Sequence, residues 1–281
     1  MKVVKFGGSS LASGNSVDKA LSIINADPER QVVVVSAPGK RTEDDIKVTD
    51  LMITYAYMSL RSNNYQDIAT RIFKRYELIA QYFELPEAEL EDIKQLLLTL
   101  PKLSYPNNDY RMATFKAHGE RLNAILIAKI LNHQGIKARF LEPKDVGLIV
   151  TGTPNNAEVN PETYVNLKRI KAAKDEKIIF PGFYGITPSG HIATFSRGGS
   201  DITGAILARG LNADLYENFT DVDAIFSANP HIVDQPQQVP RRFADLLQMA
   251  ARPIGDVGIA QRDAVQPDDG VHRRADLMAH T

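Results

Sequence analysis

The sequence predicts an α/β protein with a doubly wound, mainly parallel sheet, and three observations support this fold class. A strand, a helix and a second strand follow one another within about 35 residues, which is the pattern of a βαβ unit. The second strand contains four consecutive valines, as is typical of a parallel strand buried on both faces. Short β-rich runs then return after a long helical segment and alternate with helical periodicity.

The first βαβ unit can be assigned from its residue types. The strand "VVKF" leads into a loop of glycine and serine, and the helix "SVDKALSIINA" follows with apolar Val17, Leu21 and Ile24 on one face. Short polar side chains stabilise helix starts, so we expect Asn15 or Ser16 to cap this helix. The strand "QVVVV" comes next and ends at the turn-like "SAPGK".

A helical insertion is predicted at about residues 44–132. Long amphipathic stretches such as "DIATRIFKRYELIAQYF" and "EAELEDIKQLLLTL" contain no glycine, and a further helix is expected over 114–132. Strand-like segments then resume in the order "ARFLE", "GLIV", "KIIFPGF", "HIATF" and "ADLYENFT". The helix "ITGAILARGL" separates the last two, which continues the α/β pattern.

The bulk composition is that of an ordinary soluble protein. The chain has 281 residues, 43% hydrophobic and 24% charged, with a formal net charge of −1, so nothing in the balance points to nucleic acid or a membrane surface. The sequence contains no cysteine, which excludes disulfides, thiolate metal sites and cysteine nucleophiles within it. The start "MKVVKFGGSS" lacks the apolar run of a secretory signal, and we expect a cytoplasmic protein.

Two paired-glycine loops each join a strand to a helix. In "KFGGSS" the backbone and the positive helix end could hold phosphate, although a plain structural turn remains open and the spacing is not that of a Walker A loop. The second loop, "SRGGSD", adds a cation, a hydroxyl and a carboxylate. Arg197 can fork a substrate carboxylate, whereas Asp201 could act in the site or simply cap the following helix.

Two further segments are candidates for the site. In "HGERLNA", Glu120 lies on an otherwise apolar helix and could bind a substrate ammonium, with a surface i to i+4 ion pair as the alternative. In "FTDVDAIFSANP", polar side chains follow a strand, where open α/β sheets bind ligands, but turn residues have the same composition. No metal-binding motif is present, so we predict no protein-held metal and expect any Mg²⁺ to arrive with nucleotide phosphates.

The order and spacing of these segments are more specific than any one of them. The succession "KFGGSS", "VVVVSAPGKRT", "HGERLNA", "PGFYGITPSGHIATFSRGGSD" and "FTDVDAIFSANP" resembles the aspartate kinases of the amino acid kinase family over residues 1–240. The resemblance implies a three-layer αβα sandwich with a mainly parallel central sheet. It also implies ATP-dependent phosphorylation of the side-chain carboxylate of L-aspartate to 4-phospho-L-aspartate, the entry to lysine, threonine and methionine.

The resemblance carries site roles to matching positions of this sequence. Arg197 would clamp a substrate carboxylate and Glu120 would take the α-ammonium, with Ser36, Thr42 and Ser200 lining the acceptor pocket. Lys5 would stabilise charge on the transferring phosphoryl group, with Asp201 orienting the Lys5 side of the site. The nucleotide contacts would come from the first loop and from the segment after the last strand: Gly7, Gly8, Ser9, Thr220, Asp221, Phe226 and His231.

The resemblance also divides the chain. Residues 1–240 would form the catalytic domain, with about 178–240 binding the nucleotide, and the enzyme would be a homo-oligomer. Residues 241–281 show neither the family's "GAKVLHP"-like segment nor ACT domains, and are either a divergent segment or the product of a shifted frame or fusion. Two other functions stay open: a catalytically impaired remnant that binds aspartate or nucleotide, and another amino acid kinase such as a glutamate kinase.

Overall fold

The computed structural model describes residues 1–61, 65–173, 175–196 and 198–219, all within one compact unit. Its strands are β1 Lys2–Phe6, β2 Arg30–Val35, β3 Ala138–Phe140, β4 Val150–Thr153, β5 Asn156–Val159, β6 Lys177–Pro181, β7 Tyr184–Ile186, β8 Ile192–Thr194 and β9 Leu215–Phe219. Five of them form one parallel sheet in the order β3-β6-β2-β1-β9. The predicted mainly parallel sheet is confirmed.

The valine run of β2 forms the centre of this sheet. Val32 and Val34 pack into the hydrophobic cluster on one face, and Val33 and Val35 pack into the cluster on the other. Side chains alternate across a strand, so a strand that is covered on both sides must be apolar at every position. The predicted two-sided burial of β2 is confirmed.

Helices cover both faces of the sheet. They are α1 Gly14–Asn25, α2 Val48–Arg61, α3 Gln66–Tyr82, α4 Glu91–Thr99, α5 Asn108–His133, α6 Glu162–Leu167 and α7 Gly199–Gly210. The cluster on one face combines apolar residues of α1 to α5, and the cluster on the other combines those of α6, α7 and the β4–β5 and β7–β8 hairpins. This is the expected αβα sandwich, and α2 to α5 are the predicted helical insertion.

Two predicted helix starts were misplaced. The cap of α1 is Ser13, whose hydroxyl accepts from the Ser16 N–H at 3.3 Å, not Asn15 or Ser16. Helix α5 begins at Asn108, earlier than residue 114, because the side chain of Asn107 accepts from two backbone N–H groups. Both starts lie in runs of polar residues in which several side chains could serve as caps, so residue type alone does not choose among them.

None of the helices in the described part of the chain has the length and apolar character needed to cross a bilayer.

Candidate active site

A cleft of about 1000 Å³ opens where β1 and β2 end. The sheet extends from β1 in two directions, to β2 on one side and to β9 on the other. Helix α1 lies between β1 and β2 in the chain and α7 precedes β9, and the two helices cover opposite faces. Helices that leave a parallel sheet in this way open a crevice at the carboxyl ends of the strands, which is where such folds bind ligands.

The loops that follow β1 and β2 touch through their backbones. The Gly39 N–H donates to the Gly8 carbonyl oxygen at 2.7 Å. A Cβ added to Gly39 would lie 2.6 Å from the Gly8 carbonyl carbon, and one added to Gly8 would lie 2.8 Å from the Ala37 oxygen. Only glycine fits this approach, so the two loops form one floor for the cleft.

Lys5 lies on this floor at the end of β1. Its Nζ is 2.7 Å from Oδ1 of Asp201, and the same oxygen accepts from Nδ2 of Asn218 at 3.1 Å. Lys5 and Asn218 face each other in the β1–β9 register, whereas Asp201 comes from the first turn of α7. The Lys5 side chain is 8% exposed and that of Asp201 is 47% exposed, so the pair spans from the interior to the open cleft.

The N-terminal end of α7 faces the same cleft. Gly198 precedes the helix with φ of 81°, a left-handed conformation that favours glycine, and Gly198 to Asp201 all line the cleft. The side chain of Ser200 packs on the backbone of Gly182, where a Cβ would lie 2.5 Å from the serine hydroxyl. The Asp201 side chain binds Lys5 and Asn218, so the capping role considered for it is wrong.

Glu120 forms the buried wall of the cleft. It is 5% exposed on α5, so the surface ion pair considered for it is wrong. Burial raises the pKa of its carboxyl to about 8, against smaller opposing effects of backbone hydrogen bonds to Ala37 and Glu120 and of the Lys116 charge. Within the described residues its Oε2 has no hydrogen-bond partner. A buried polar oxygen without a partner is rare in folded proteins.

A polar network lies beside Glu120 on the same helix. The Nδ1 of His118 is 2.8 Å from the Thr114 carbonyl oxygen and therefore carries the proton, which leaves Nε2 to accept from Arg121 at 3.1 Å. Burial lowers the pKa of His118 to about 3, so the ring is neutral. Arg121 in turn pairs with Glu142 at 2.8 Å. These contacts fix the part of α5 that presents Glu120.

The fold and the cleft can be compared with known proteins. Residues 1–256 match the amino acid kinase family. This chain belongs to the amino acid kinase family. Aspartokinase 3 of Bacillus subtilis strain 168 is 50% identical to it over 239 residues, which are 85% of this chain and 52% of that protein. Aspartokinase 2, chloroplastic, of Arabidopsis thaliana is 28% identical over 249 residues, with 85% and 45% covered. This amino acid kinase family member thus spans about half the length of these relatives.

Solved structures give the same fold. Aspartate kinase of Clostridium acetobutylicum is 34% identical with a TM-score of 0.69, and the match covers 85% of this chain and 51% of that one. E. coli aspartokinase III in complex with aspartate and ADP has a TM-score of 0.73 at 23% identity, covering 85% and 53%, and supports the fold alone. The three-layer architecture is therefore that of solved aspartate kinases.

The cleft of this amino acid kinase family member collects the predicted site residues. Every one of them that lies in the described residues lines this cleft: Lys5, Gly7, Gly8, Ser9, Ser36, Thr42, Glu120, Ser200 and Asp201. The others lie outside the described residues: Arg197, Thr220, Asp221, Phe226 and His231. The Gly7 N–H donates to the Phe219 carbonyl oxygen at 3.1 Å, so this N–H is not free to bind a phosphate.

Sequence reasoning missed several residues of the site. Phe183 lines the cleft with φ of 81°, a strained conformation for a bulky residue that is common at functional sites. Lys40 and Lys47 add positive charge to the rim. The only sequence signal for Phe183 was its position in "PGFYG", and the two lysines looked like ordinary surface residues.

The described residues offer no cluster of side chains typical of a protein-held metal centre. Among the described residues no three His, Cys, Asp or Glu side chains are grouped so that they could hold a metal ion. Asp201 is the partly exposed carboxylate beside Lys5 in the cleft. A single carboxylate together with substrate phosphates suits Mg²⁺, which usually keeps several waters, so the donor set fits an ion that arrives with a nucleotide.

Proposed function

We propose that this chain is the catalytic part of an aspartate kinase. It would transfer the γ-phosphoryl group of ATP to the side-chain carboxylate of L-aspartate and form 4-phospho-L-aspartate, the first step toward lysine, threonine and methionine. Its 50% identity to Aspartokinase 3 over most of the chain and the fold shared with solved aspartate kinases support this. The resemblance further supports a cytoplasmic homo-oligomer. Analytical ultracentrifugation would measure the mass of this oligomer.

One observation carries the proposal. A single cleft presents Glu120, a buried carboxyl whose Oε2 has no partner among the described residues, and Lys5, a cation beside the N-terminal end of a helix. A buried carboxyl suits the α-ammonium of an amino acid, and a lysine with a helix N-terminus suits a phosphate. An enzyme that joins an amino acid to a phosphoryl group needs both kinds of group in one cleft.

The chain's own residues would act by binding and orientation. The acceptor carboxylate is already a nucleophile, so no general base is needed and phosphoryl transfer depends on positioning and charge stabilisation. Glu120 would hold the α-ammonium, while Ser36, Thr42 and Ser200 offer hydroxyl groups around the acceptor. Arg197 is proposed to clamp a substrate carboxylate from the loop before α7.

Lys5 would supply the charge stabilisation. Its ammonium is held beside Asp201 at 2.7 Å at the start of α7, whose N-terminal end carries partial positive charge. A nucleotide phosphate in the cleft would share this ammonium with Asp201. The ammonium would then stabilise the negative charge that moves from the γ-phosphoryl group to the departing ADP. Mg²⁺, when bound to the phosphates, would neutralise part of their charge, and Asp201 is the described residue placed to help hold it.

A coupled assay of ADP formation tests the function. We expect ADP release from ATP and Mg²⁺ only when L-aspartate is added, with L-glutamate giving far less turnover. Higher turnover with glutamate would overturn aspartate as the substrate. Calorimetric binding of aspartate without any turnover would overturn the kinase activity and identify the chain as a binding remnant.

A further inference from the structure

The loop of residues 39–46, here called the acceptor loop, carries part of the cleft wall. Thr42 lies at its middle and faces the cleft, and Gly39 at its start rests on the backbone of Gly8. Most of its side chains are exposed, so little apolar packing holds it in place. Its conformation must therefore come from specific polar contacts.

Arg75 of α3 makes those contacts from beneath the loop. Its Nη2 donates to the Gly39 carbonyl oxygen at 2.6 Å and its Nη1 donates to the Ile46 carbonyl oxygen at 2.8 Å. One planar guanidinium thus joins the two ends of the acceptor loop. The Arg75 side chain is only 5% exposed, so water competes little for either bond.

Asp45 connects this guanidinium to the interior of the acceptor loop. Its Oδ2 is 3.1 Å from Nη1 of Arg75 and accepts from the Arg41 backbone N–H at 3.0 Å and from the Arg41 Nε at 2.7 Å. The hydrogen bonds from Arg41, with the Arg75 charge, hold the pKa of the Asp45 carboxyl well below its usual range. The carboxylate therefore stays ionised and ties both sides of the loop to Arg75.

Helix α3 places Arg75 where an apolar residue would ordinarily lie. Its buried face consists of Ile68, Ile72, Tyr76 and Ile79, and Arg75 belongs to the same face. Burying a guanidinium is costly unless its donors are paired, so its presence there calls for a specific use. The next residue, Tyr76, also supports the cleft from α3. Its hydroxyl donates to the carbonyl oxygen of Gly119, which is adjacent to Glu120.

We propose that Arg75 is a positioning residue that holds the acceptor loop on the cleft floor and so sets the affinity for the acceptor amino acid. The effect on acceptor affinity rests on the proposed function, because that function names the substrate. The restraint that Arg75 places on the loop does not depend on the proposed function. Arg75 does not line the cleft. It acts through Gly39, Ile46 and Asp45, and its effect should be largest on the acceptor side of the cleft.

Kinetics of Arg75→Lys give the first test. A lysine ammonium cannot bridge two carbonyl groups with the geometry of the guanidinium fork, so we expect the KM for the acceptor to rise by about 10- to 100-fold. The KM for ATP should rise by a smaller factor, because Arg75 reaches the first glycine loop only indirectly, through the Gly39–Gly8 contact. Arg71→Lys, an exposed change on the same helix, is the matched control and should leave both constants unaltered.

Hydrogen exchange of the ligand-free protein gives a second test that does not depend on activity. The hydrogen-bonded amides of the loop, those of Gly39, Arg41 and Asp45, should exchange about tenfold faster in Arg75→Lys and at the original rate in Arg71→Lys. Millimolar guanidinium ion should restore slow exchange and acceptor affinity in Arg75→Ala and do nothing for Arg71→Ala. A merely structural loss would not show this rescue.

A further variant guards against unfolding. Asp45→Asn weakens the tie from the loop side while Arg75 keeps both carbonyl bonds, so it should raise the acceptor KM in the same direction by a smaller factor. Unchanged loop exchange in Arg75→Lys, or equal increases in both KM values, would overturn the proposal. Absence of aspartate-dependent turnover in the unaltered chain would instead contradict the proposed function, since the exchange result stands by itself.

Discussion

The two sides of the cleft are built differently. The proposed acceptor side is supported from behind by buried side chains, with Glu120, Arg75 and Tyr76 all at most 5% exposed. The phosphate side is an ion pair that reaches solvent, with Asp201 47% exposed beside Lys5. If the proposed roles hold, the difference teaches that the fold fixes the acceptor pocket before any ligand binds, whereas the Lys5–Asp201 pair can exchange partners when phosphate enters.

Electrostatics give this contrast its energetic meaning. Asp201 is 47% exposed, so a phosphate that enters from the open cleft could take over its contact with the largely buried Lys5 ammonium without leaving that ammonium unpaired. A buried donor or acceptor that loses its partner costs about 1–3 kcal/mol, so changes on the acceptor side should be felt in binding itself. Variants on the two sides should therefore separate kcat from KM.

The largest effect is expected for Lys5→Met. Removing the cation at the transferring phosphoryl group should lower kcat by about 10³-fold, the scale seen when a preorganised charge-stabilising group is lost. Calorimetric affinity for aspartate should change by less than about threefold, since Lys5 lies on the phosphate side. Lys2→Met, at the other end of β1, is the control and should keep normal kcat. Loss of aspartate affinity in Lys5→Met would abolish the distinction between the two sides.

Next comes Glu120→Gln, which should act on binding. The neutral amide can accept a hydrogen bond from an α-ammonium but cannot form an ion pair with it, so the aspartate KM should rise by about 10²-fold with little change in the KM for ATP. The pKa of about 8 adds a sharper signature. At pH 7 the free carboxyl is largely protonated, and binding of an ammonium favours its ionised form, so aspartate binding should release close to one proton.

Calorimetry in two buffers of different ionisation enthalpy measures this proton. Release that disappears in Glu120→Gln and persists in Glu89→Gln, an exposed carboxylate far along the chain, would support the assignment. Binding without proton release in the unaltered protein would exclude Glu120 as the ammonium ligand.

A smaller effect is expected in the pH dependence of stability. Between pH 6.5 and 8 the folded state keeps a proton on Glu120 that the unfolded state has lost, so the free energy of unfolding should fall as pH rises, by at most about 1.4 kcal/mol per pH unit. Below pH 6.5 the buried His118, with its pKa of about 3, adds a slope of the opposite sign, because only the unfolded state takes up its proton. The two contributions offset each other down to about pH 4.5, below which Glu120 is protonated in both states and only the His118 slope remains.

Urea unfolding across this pH range provides the measurement. Glu120→Gln should flatten the decline between pH 6.5 and 8, whereas an unaltered slope would show that the carboxyl is not shielded from water as the structure has it.

The smallest effect is expected for Tyr76→Phe. It removes one buried hydrogen bond to the Gly119 carbonyl oxygen, worth about 1 kcal/mol, and should raise the aspartate KM by about two- to fivefold. The KM for ATP should stay constant, and Tyr82→Phe, at the exposed end of α3, should change neither constant. A change in the KM for ATP alone would show that α3 supports the phosphate side of the cleft and would contradict its proposed effect on the acceptor side.

Local sequence signals predicted the sheet and the loops well. The valines of β2 and the paired glycines carry their meaning in consecutive residues. Burial of Glu120 could not be read in this way, because α5 is apolar around much of its circumference and its sequence does not show which polar positions face the core. The pairing of Asp201 with Asn218 depends on the β1–β9 register, a contact between distant parts of the chain.

The sequence of α3 contains a signal that sets Arg75 apart. The spacing of Ile68, Ile72 and Ile79 defines a buried stripe on α3, and an arginine within such a stripe is an exception to amphipathic patterning. A charged residue in an apolar stripe is a candidate for a specific polar contact. Its partners, two carbonyl oxygens of a distant loop, have no sequence signature at all.

The pairing of β1 with β9 also has a consequence for biosynthesis. Residues 2–6 can pair with β2 soon after synthesis, but their other edge waits until residues 215–219 have been made. Long-range parallel pairing forms slowly, and an unpaired strand edge invites association with other chains. Substitutions that weaken this pairing should therefore lower the yield of soluble protein during expression before they lower the activity of the molecules that do fold.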